Sequence, residues 1–290
     1  MSGTKTITAL LLLIAGSLRA DPAAWHVQAD NGSQLWLLGS VHYLRPQDYP
    51  LPPIVDELYS QADALVMELD LDDLDPVATQ AQFLGAAMLE PRRNLQQVLG
   101  EQTYQAAAAA SQDLGFDLSL MAQFEPWLVA ITLLDLGMVQ LGFRPEHGLE
   151  QHLLRMAGED AKPVLGLEEL SAQINVFDGL TDSEQRALLT QTLDELQTPG
   201  ARMTELVNAW REGRLDAMAG ALMQDFDAFP ELYNALVVER NRSWISVLRD
   251  LLAEPTDHLV IVGALHLVGE DSVIDLLRSG GLKVTPVGQR

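Results

Sequence analysis

Two stretches far apart in the chain share one pattern of apolar and polar positions. Leu35-Trp36-Leu37-Leu38 runs into Gly39-Ser40-Val41-His42, and Leu259-Val260-Ile261-Val262 runs into Gly263-Ala264-Leu265-His266. Each begins as a run that is apolar on both faces, as a strand buried inside a sheet requires. Each then continues through glycine and two residues to a histidine. Residues 25–28 and 34–38 flank Asp30-Asn31-Gly32, a strong hairpin signal. Leu51-Pro52-Pro53 opens a helix running to about residue 62, because proline is favourable at a helix start. Residues 64–68 form the next short strand. Strand, helix and strand at this spacing make a βαβ unit, whose right-handed crossover predicts two parallel, neighbouring strands.

From about 76 to 162 the pattern is helical. The alanine-rich stretch 101–114 is a strong helix former, and 127–140 is apolar on most faces, as a core helix is. A short strand at 163–167 ends at Glu168-Glu169. A second helical block fills 168–253 and includes helices at 183–196, 201–210 and 240–252. The strand at 258–262 follows, then a helix over 271–278 stopped by Gly280-Gly281, and a last strand at 282–285. The predicted class is α/β, with a central mixed, mainly parallel sheet built from split βαβ units. A large helical insertion separates the two Gly-x-x-His strands; it covers 75–253, mostly helical with one strand near 163–167. Residues 21–290 form one domain in this reading.

Composition narrows the function classes. A chain of 290 residues with 48% hydrophobic content can bury a substantial core. The net charge of −23 weighs against nucleic acid, whose phosphates need a basic patch. The absence of cysteine excludes disulfides, thiolate metal sites and cysteine nucleophiles. Lys5, the apolar run from Ile7 to Gly16 and Ala20 read as a secretory signal peptide over residues 1–20. The apolar run is too short for a comfortable membrane span, and no later segment reaches 18 apolar residues. The expectation is a periplasmic or secreted protein with no stable membrane anchor after cleavage.

Candidate chemistry lies at the strand ends. Glycine lets the backbone leave the strand or lets a ligand approach closely, and the carboxyl edge of an α/β sheet is where ligands bind. One histidine there is ordinary; two in matching contexts point to a shared polar site. The two-residue strand period places Glu68 and Asp70 on one face, and Glu168 and Glu169 end another strand. Acids at such places also serve as helix caps or solvated loop residues. With two imidazoles they suggest a His₂-carboxylate site suited to Mn, Co, Fe or Zn and able to activate water. Arg240 and Asn241 stand in a polar cluster that either orients a carboxylate and polarises a carbonyl or forms a solvated helix start. His26 and His258 begin strands, away from that edge, and read as structural. His147 and His152, with Glu146 and Glu150, read as an exposed helix face. There is no Gly-x-Ser-x-Gly elbow, His-Glu-x-x-His helix, dinucleotide fingerprint or phosphate loop.

Together with both Gly-x-x-His segments, the chain carries Leu51-Pro52, Ala62-Asp63, Val66-Met67-Glu68-Leu69-Asp70, Gly148-Leu149-Glu150, Val164-Leu165-Gly166-Leu167-Glu168 with Gln173, and Glu239-Arg240-Asn241 with Trp244. In this combination it resembles the TraB/GumN group, which includes the animal Tiki proteins. The resemblance implies an erythromycin-esterase/ChaN-like α/β fold and, for Tiki-like members, a metalloprotease using Mn or Co and both histidines. Carried onto this chain, it implies His42 and His266 as metal ligands; from their place at the strand ends, Glu68 or Glu168 is expected as the carboxylate ligand and the other glutamate as general base. Arg240 and Asn241 would hold a substrate carbonyl or oxyanion, supported by Gly39, Gly263, Asp70, Gln173 and Glu150. Relatives often have Asp where Glu150 stands. The expected function is an exported metal-dependent hydrolase of peptides or proteins, its ion Mn or Co with Zn as an alternative. Two other readings stay open: a non-catalytic ChaN-like protein that binds peptide, haem or metal, and a metal-independent hydrolase of the esterase kind.

Overall fold

The computed structural model describes residues 23–197, 199–223, 226 and 229–287; the expected signal peptide lies outside them. The strands are β1 (Ala24–Gln28), β2 (Gln34–Ser40), β3 (Ala64–Met67), β4 (Val164–Gly166), β5 (His258–Gly263) and β6 (Val284–Pro286). They form one sheet in the order β4-β3-β5-β2-β1-β6. β4, β3, β5 and β2 run parallel, and β1 is antiparallel to both of its neighbours. The fold is therefore α/β with a mainly parallel mixed sheet. The β1–β2 hairpin turns at Gly32, whose φ of 93° only glycine adopts freely. The Asn31 side chain accepts the Ser33 N–H at 2.9 Å.

The helices are α1 (Pro53–Gln61), α2 (Pro76–Ala86), α3 (Leu95–Asp113), α4 (Pro126–Gln140), α5 (Leu149–Asp160), α6 (Leu170–Asp178), α7 (Asp182–Glu195), α8 (Pro199–Arg211), α9 (Leu215–Met223), α10 (Pro230–Tyr233), α11 (Glu239–Ala253) and α12 (Val273–Ser279). Local chemistry explains their starts. Proline is the first helical residue of α1, α2, α4 and α10, and capping boxes at Asn94 and Thr181 begin α3 and α7. α3 is kinked at Gly100, which has a φ of 75°. α12 begins two residues later than the pattern predicts. Asp271 takes a left-handed φ of 57° and Ser272 caps the helix, its hydroxyl accepting the Asp275 N–H at 3.2 Å.

Two differences from the sequence reading matter. β2 and β3 are parallel but not neighbours, because β5 pairs with both and lies between them. All three strands are apolar runs, so pairing order is settled by packing, and β5 brings the second Gly-x-x-His segment to the middle of the sheet. β3 also stops at Met67 and β4 at Gly166, so the period-two argument does not reach Asp70.

The main core joins the sheet to surrounding helices through fully buried residues such as Leu37, Val260, Trp210 and Trp244. A separate cluster within the helical insertion gathers Leu95, Leu99, Leu133 and Leu189 from α3, α4 and α7. Trp210 of α8 ties the helices to the first motif: its indole N–H donates to the Gly39 carbonyl at 2.6 Å, wholly out of solvent. Trp210→Phe keeps most of the packing and strands that carbonyl. It should lower unfolding stability by about 1–3 kcal/mol in a urea titration; an unchanged midpoint would show the bond to be dispensable. Among the described residues no helix is long and apolar enough to cross a membrane.

Candidate functional site

The carboxyl ends of β2, β3 and β5 bring His42, Glu68 and His266 around Gly263. A methyl group placed on Gly263 would lie 3.4 Å from Glu68 Oε1, 3.5 Å from His266 Cδ2 and 3.7 Å from His42 Nε2. Gly263 itself donates its backbone N–H to Glu68 Oε1 at 2.8 Å. His266 Nε2 lies 3.9 Å from the same oxygen. A cavity of about 220 Å³ adjoins the His42 and Glu68 side of this group, bordered also by Glu150, Gln173 and apolar residues including Leu69 and Leu71, while His266 lies behind its wall.

Each histidine is held from behind at Nδ1. His266 is buried at 5% exposure, and its Nδ1 lies 2.7 Å from Asn241 Oδ1. The Asn241 amide donates its own N–H to the Asp271 carbonyl at 2.9 Å, which fixes the amide orientation and makes Oδ1 the acceptor. His266 therefore carries its proton on Nδ1 and presents the Nε2 lone pair. Burial depresses its basicity to about 4, despite the opposing charge of Glu68. His42 Nδ1 lies 2.6 Å from Glu150 Oε1, which also accepts the Ser40 hydroxyl at 2.5 Å. The negative charge of Glu150 raises His42 to about 9. Its side chain stands 62% exposed at the cavity mouth.

Glu150→Gln removes that charge and should bring the His42 pKa down toward the ordinary imidazole range near 6.5. A ring-proton NMR titration reads this directly, and an unmoved curve would show that Glu150 does not control His42.

Behind this group Arg240 joins the two glutamates. Its Nη2 donates to Glu68 Oε2 at 2.6 Å and Glu168 Oε1 at 2.7 Å, and its Nε to both Glu168 oxygens at 3.2 Å. Nη1 reaches the Leu236 carbonyl and His266 Nε2, each at 3.3 Å. All five guanidinium N–H groups are thereby engaged. The Leu236 carbonyl belongs to a π-helical turn, Asn234–Val238, that leads into α11. Trp244 closes the back: its indole N–H donates to Glu168 Oε2 at 3.1 Å, and its ring lies 4.6 Å from that of His266. Burial works against ionisation of Glu68, yet its pKa falls to about 2. The lowering comes first from the charge His266 carries in acid, then from Arg240, His42 and the Gly263 N–H; at neutral pH, where His266 is uncharged, the last three hold the carboxylate ionised.

The structure corrects several expected roles. Asn241 is fully buried and grips His266 and Asp271, so it does not face a substrate. Arg240 has no free donor for a substrate carbonyl. Glu168 does not border the cavity, and its oxygens accept from Arg240 and Trp244. Asp70 does not border the His42–Glu68 cavity but a second pocket that it shares with Asp73, Glu168 and Glu169, one oxygen buried without a partner and its pKa pushed by burial to about 6. Gln173 borders the cavity as a wall residue.

Glu150 leaves the His147–His152 face and turns inward, because Gly148 lets α5 press against the first motif. A Cβ on Gly148 would meet the His42 carbonyl at 2.2 Å, and Leu149 N–H donates to the Val41 carbonyl at 3.2 Å. Gly39 likewise permits close contact with Ala264. His258 begins β5 at the opposite sheet edge, and His26 lies mid-way along β1, paired with Trp36 and Thr285 and away from the group. Ser40 and Asp271 escaped the sequence reading, Ser40 although it lies inside the first Gly-x-x-His segment.

The donor chemistry suits a divalent cation: two imidazoles anchored at Nδ1 and aimed through Nε2 toward a carboxylate are supported as metal-binding histidines usually are. Among the described residues, however, no group of three or more His, Cys, Asp and Glu side chains is arranged to hold a metal ion, and Arg240 stands at the His266 lone pair.

The model of the TraB/PrgY/gumN family matches residues 23–286. The protein named YbaP from Escherichia coli (strain K12) is 30% identical over 265 residues, covering 90% of this chain and 96% of its own. A protein of Treponema pallidum (strain Nichols) is 22% identical over 267 residues, covering 88% of this chain and 79% of its own. No solved structure matches the chain. With that match spanning both motifs and every residue of the His42–Glu68–His266 group, the chain belongs to the TraB/PrgY/gumN family.

Proposed function

We propose that the protein is an exported metal-dependent hydrolase acting on peptides or proteins, with Mn or Co as its ion and Zn as a substitute. The observation that carries this reading is the pair of Nδ1-anchored histidines meeting Glu68 around a glycine that leaves room for an atom between them. His42 Nε2, His266 Nε2 and Glu68 would hold the ion. A bound divalent ion supplies Lewis acidity, which polarises a carbonyl and makes water a nucleophile at neutral pH. Glu150 fixes His42 at the cavity mouth and Asn241 fixes the His266 tautomer. His42 must release its Nε2 proton to ligate, so ion uptake should release a proton and tighten as pH rises. With Glu68 as the ligand, the carboxylate left at the cavity to act as general base is Glu150.

The test is to strip the protein, reload it with Mn, Co or Zn, and offer a peptide library. Cleavage should depend on the added ion and be lost in His42→Ala and His266→Ala. Equal cleavage by both variants would contradict the proposal. One observation favours a metal-independent hydrolase instead: exposed His42 held by Glu150 is itself an imidazole-and-orienter pair, a proton donor at neutral pH and a base only above about pH 9. Activity that survives strong chelation would select that reading.

A further inference from the structure

We propose that Arg240 is a resident cation of the site, which a divalent ion must displace from His266 and Glu68, so that Arg240 sets how tightly the ion is held. The proposal rests on the metal-dependent reading above. Nη1 of Arg240 lies 3.3 Å from the one lone pair that His266 can offer, and Nη2 binds Glu68 Oε2 at 2.6 Å. A positive group thus occupies two of the three donors an ion would use, and an unshielded divalent charge beside it is strongly repelled. The same contacts let the buried Glu68 carboxylate stay ionised without a metal, since a buried charge needs a partner.

Arg240 also has somewhere to go. Glu168, at 8% side-chain exposure, binds it through both Nε and Nη2, and Trp244 lies under the guanidinium at 4.9 Å. Glu168 and Trp244 thus form a parking place that survives release of His266 and Glu68. In this arrangement Arg240 is a positioning residue: it touches no substrate and acts through ligand availability.

The decisive variant is the double substitution Arg240→Gln with Glu168→Gln. It removes one positive and one negative charge, so the net charge of the Arg240, Glu68 and Glu168 group is unchanged. Any gain in affinity then reflects removal of the competitor rather than a more negative site. Calorimetric titration with Mn²⁺ and Co²⁺ should show the double variant binding about tenfold tighter or more than the wild-type protein, since relief of about 1.4 kcal/mol of repulsion is already tenfold. Adding His266→Ala to the double variant should abolish the gain, which locates the ion.

Equal or weaker binding by the double variant would overturn the proposal while leaving the metal reading intact. Absence of binding in both proteins would overturn both. Should circular dichroism show the double variant unfolded, a crystal structure of the Co²⁺-loaded wild-type protein decides. Arg240 Nη1 withdrawn from His266 Nε2 is expected; an ion on His266 with Arg240 still in hydrogen-bond contact would refute the proposal.

Discussion

Gly263→Ala should abolish activity and leave the fold untouched. The glycine adopts φ −49° and ψ 135°, a conformation alanine shares without strain. The added methyl would stand at ordinary contact distance, 3.4 Å from Glu68 Oε1 and 3.7 Å from His42 Nε2. Nothing in the protein must move to admit it, so unfolding stability should stay within about 1 kcal/mol of the parent. The methyl nevertheless fills the space on which the two histidines and Glu68 converge. Displacement of reacting groups by about an ångström costs roughly 100-fold in rate, and here the space itself is taken. Turnover and ion uptake should both fall by at least that factor. Wild-type turnover in this variant would mean that the chemistry happens elsewhere.

Asn241→Ala should damage both fold and site. Asn241 has no solvent exposure and satisfies two groups at once, the buried His266 Nδ1–H and the partly buried Asp271 carbonyl. Truncation leaves both unpaired, a loss of about 2–4 kcal/mol in denaturant unfolding. The freed imidazole can rotate or switch tautomer, and loss of such an anchor typically weakens metal affinity by about 10–100-fold. A variant that keeps both parental stability and parental ion affinity would show that His266 is oriented by something else.

How far the sequence leads can be followed residue by residue. The two Gly-x-x-His segments stand out because central parallel strands are apolar on both faces, and a glycine and histidine closing such a run break the pattern visibly. Glu68 is found by the same logic, one residue past the end of β3. Asp70 is misplaced because strand ends are set by where pairing stops, which alternation along one strand does not reveal. The position of β5 between β2 and β3 is hidden for a related reason: equally apolar strands differ little in local preference, and the order follows from the packing of the whole sheet.

Asn241 carries an inward-facing signal in its spacing. It heads the buried stripe Asn241, Trp244, Leu248 and Leu251 along α11, so its helical spacing marks it as inward-facing. Glu150 carries a weaker one. It opens α5 beside buried Leu149, and only the close approach at Gly148 turns it toward His42. The Arg240 contacts with two glutamates and an imidazole join α11 to three segments distant in sequence, and no local pattern encodes such a meeting.

The central claim is that His42 and His266 act as a pair at one cation-binding centre. Elemental analysis tests it most directly. Wild-type, His42→Ala, His266→Ala and, as an outlying control, His26→Ala proteins are each equilibrated with Mn or Co, freed of excess ion and measured. Near-stoichiometric metal in the wild-type and His26 proteins, and its loss from both site variants, is the predicted result. Equal metal in all four, or none in the wild-type protein, would contradict it.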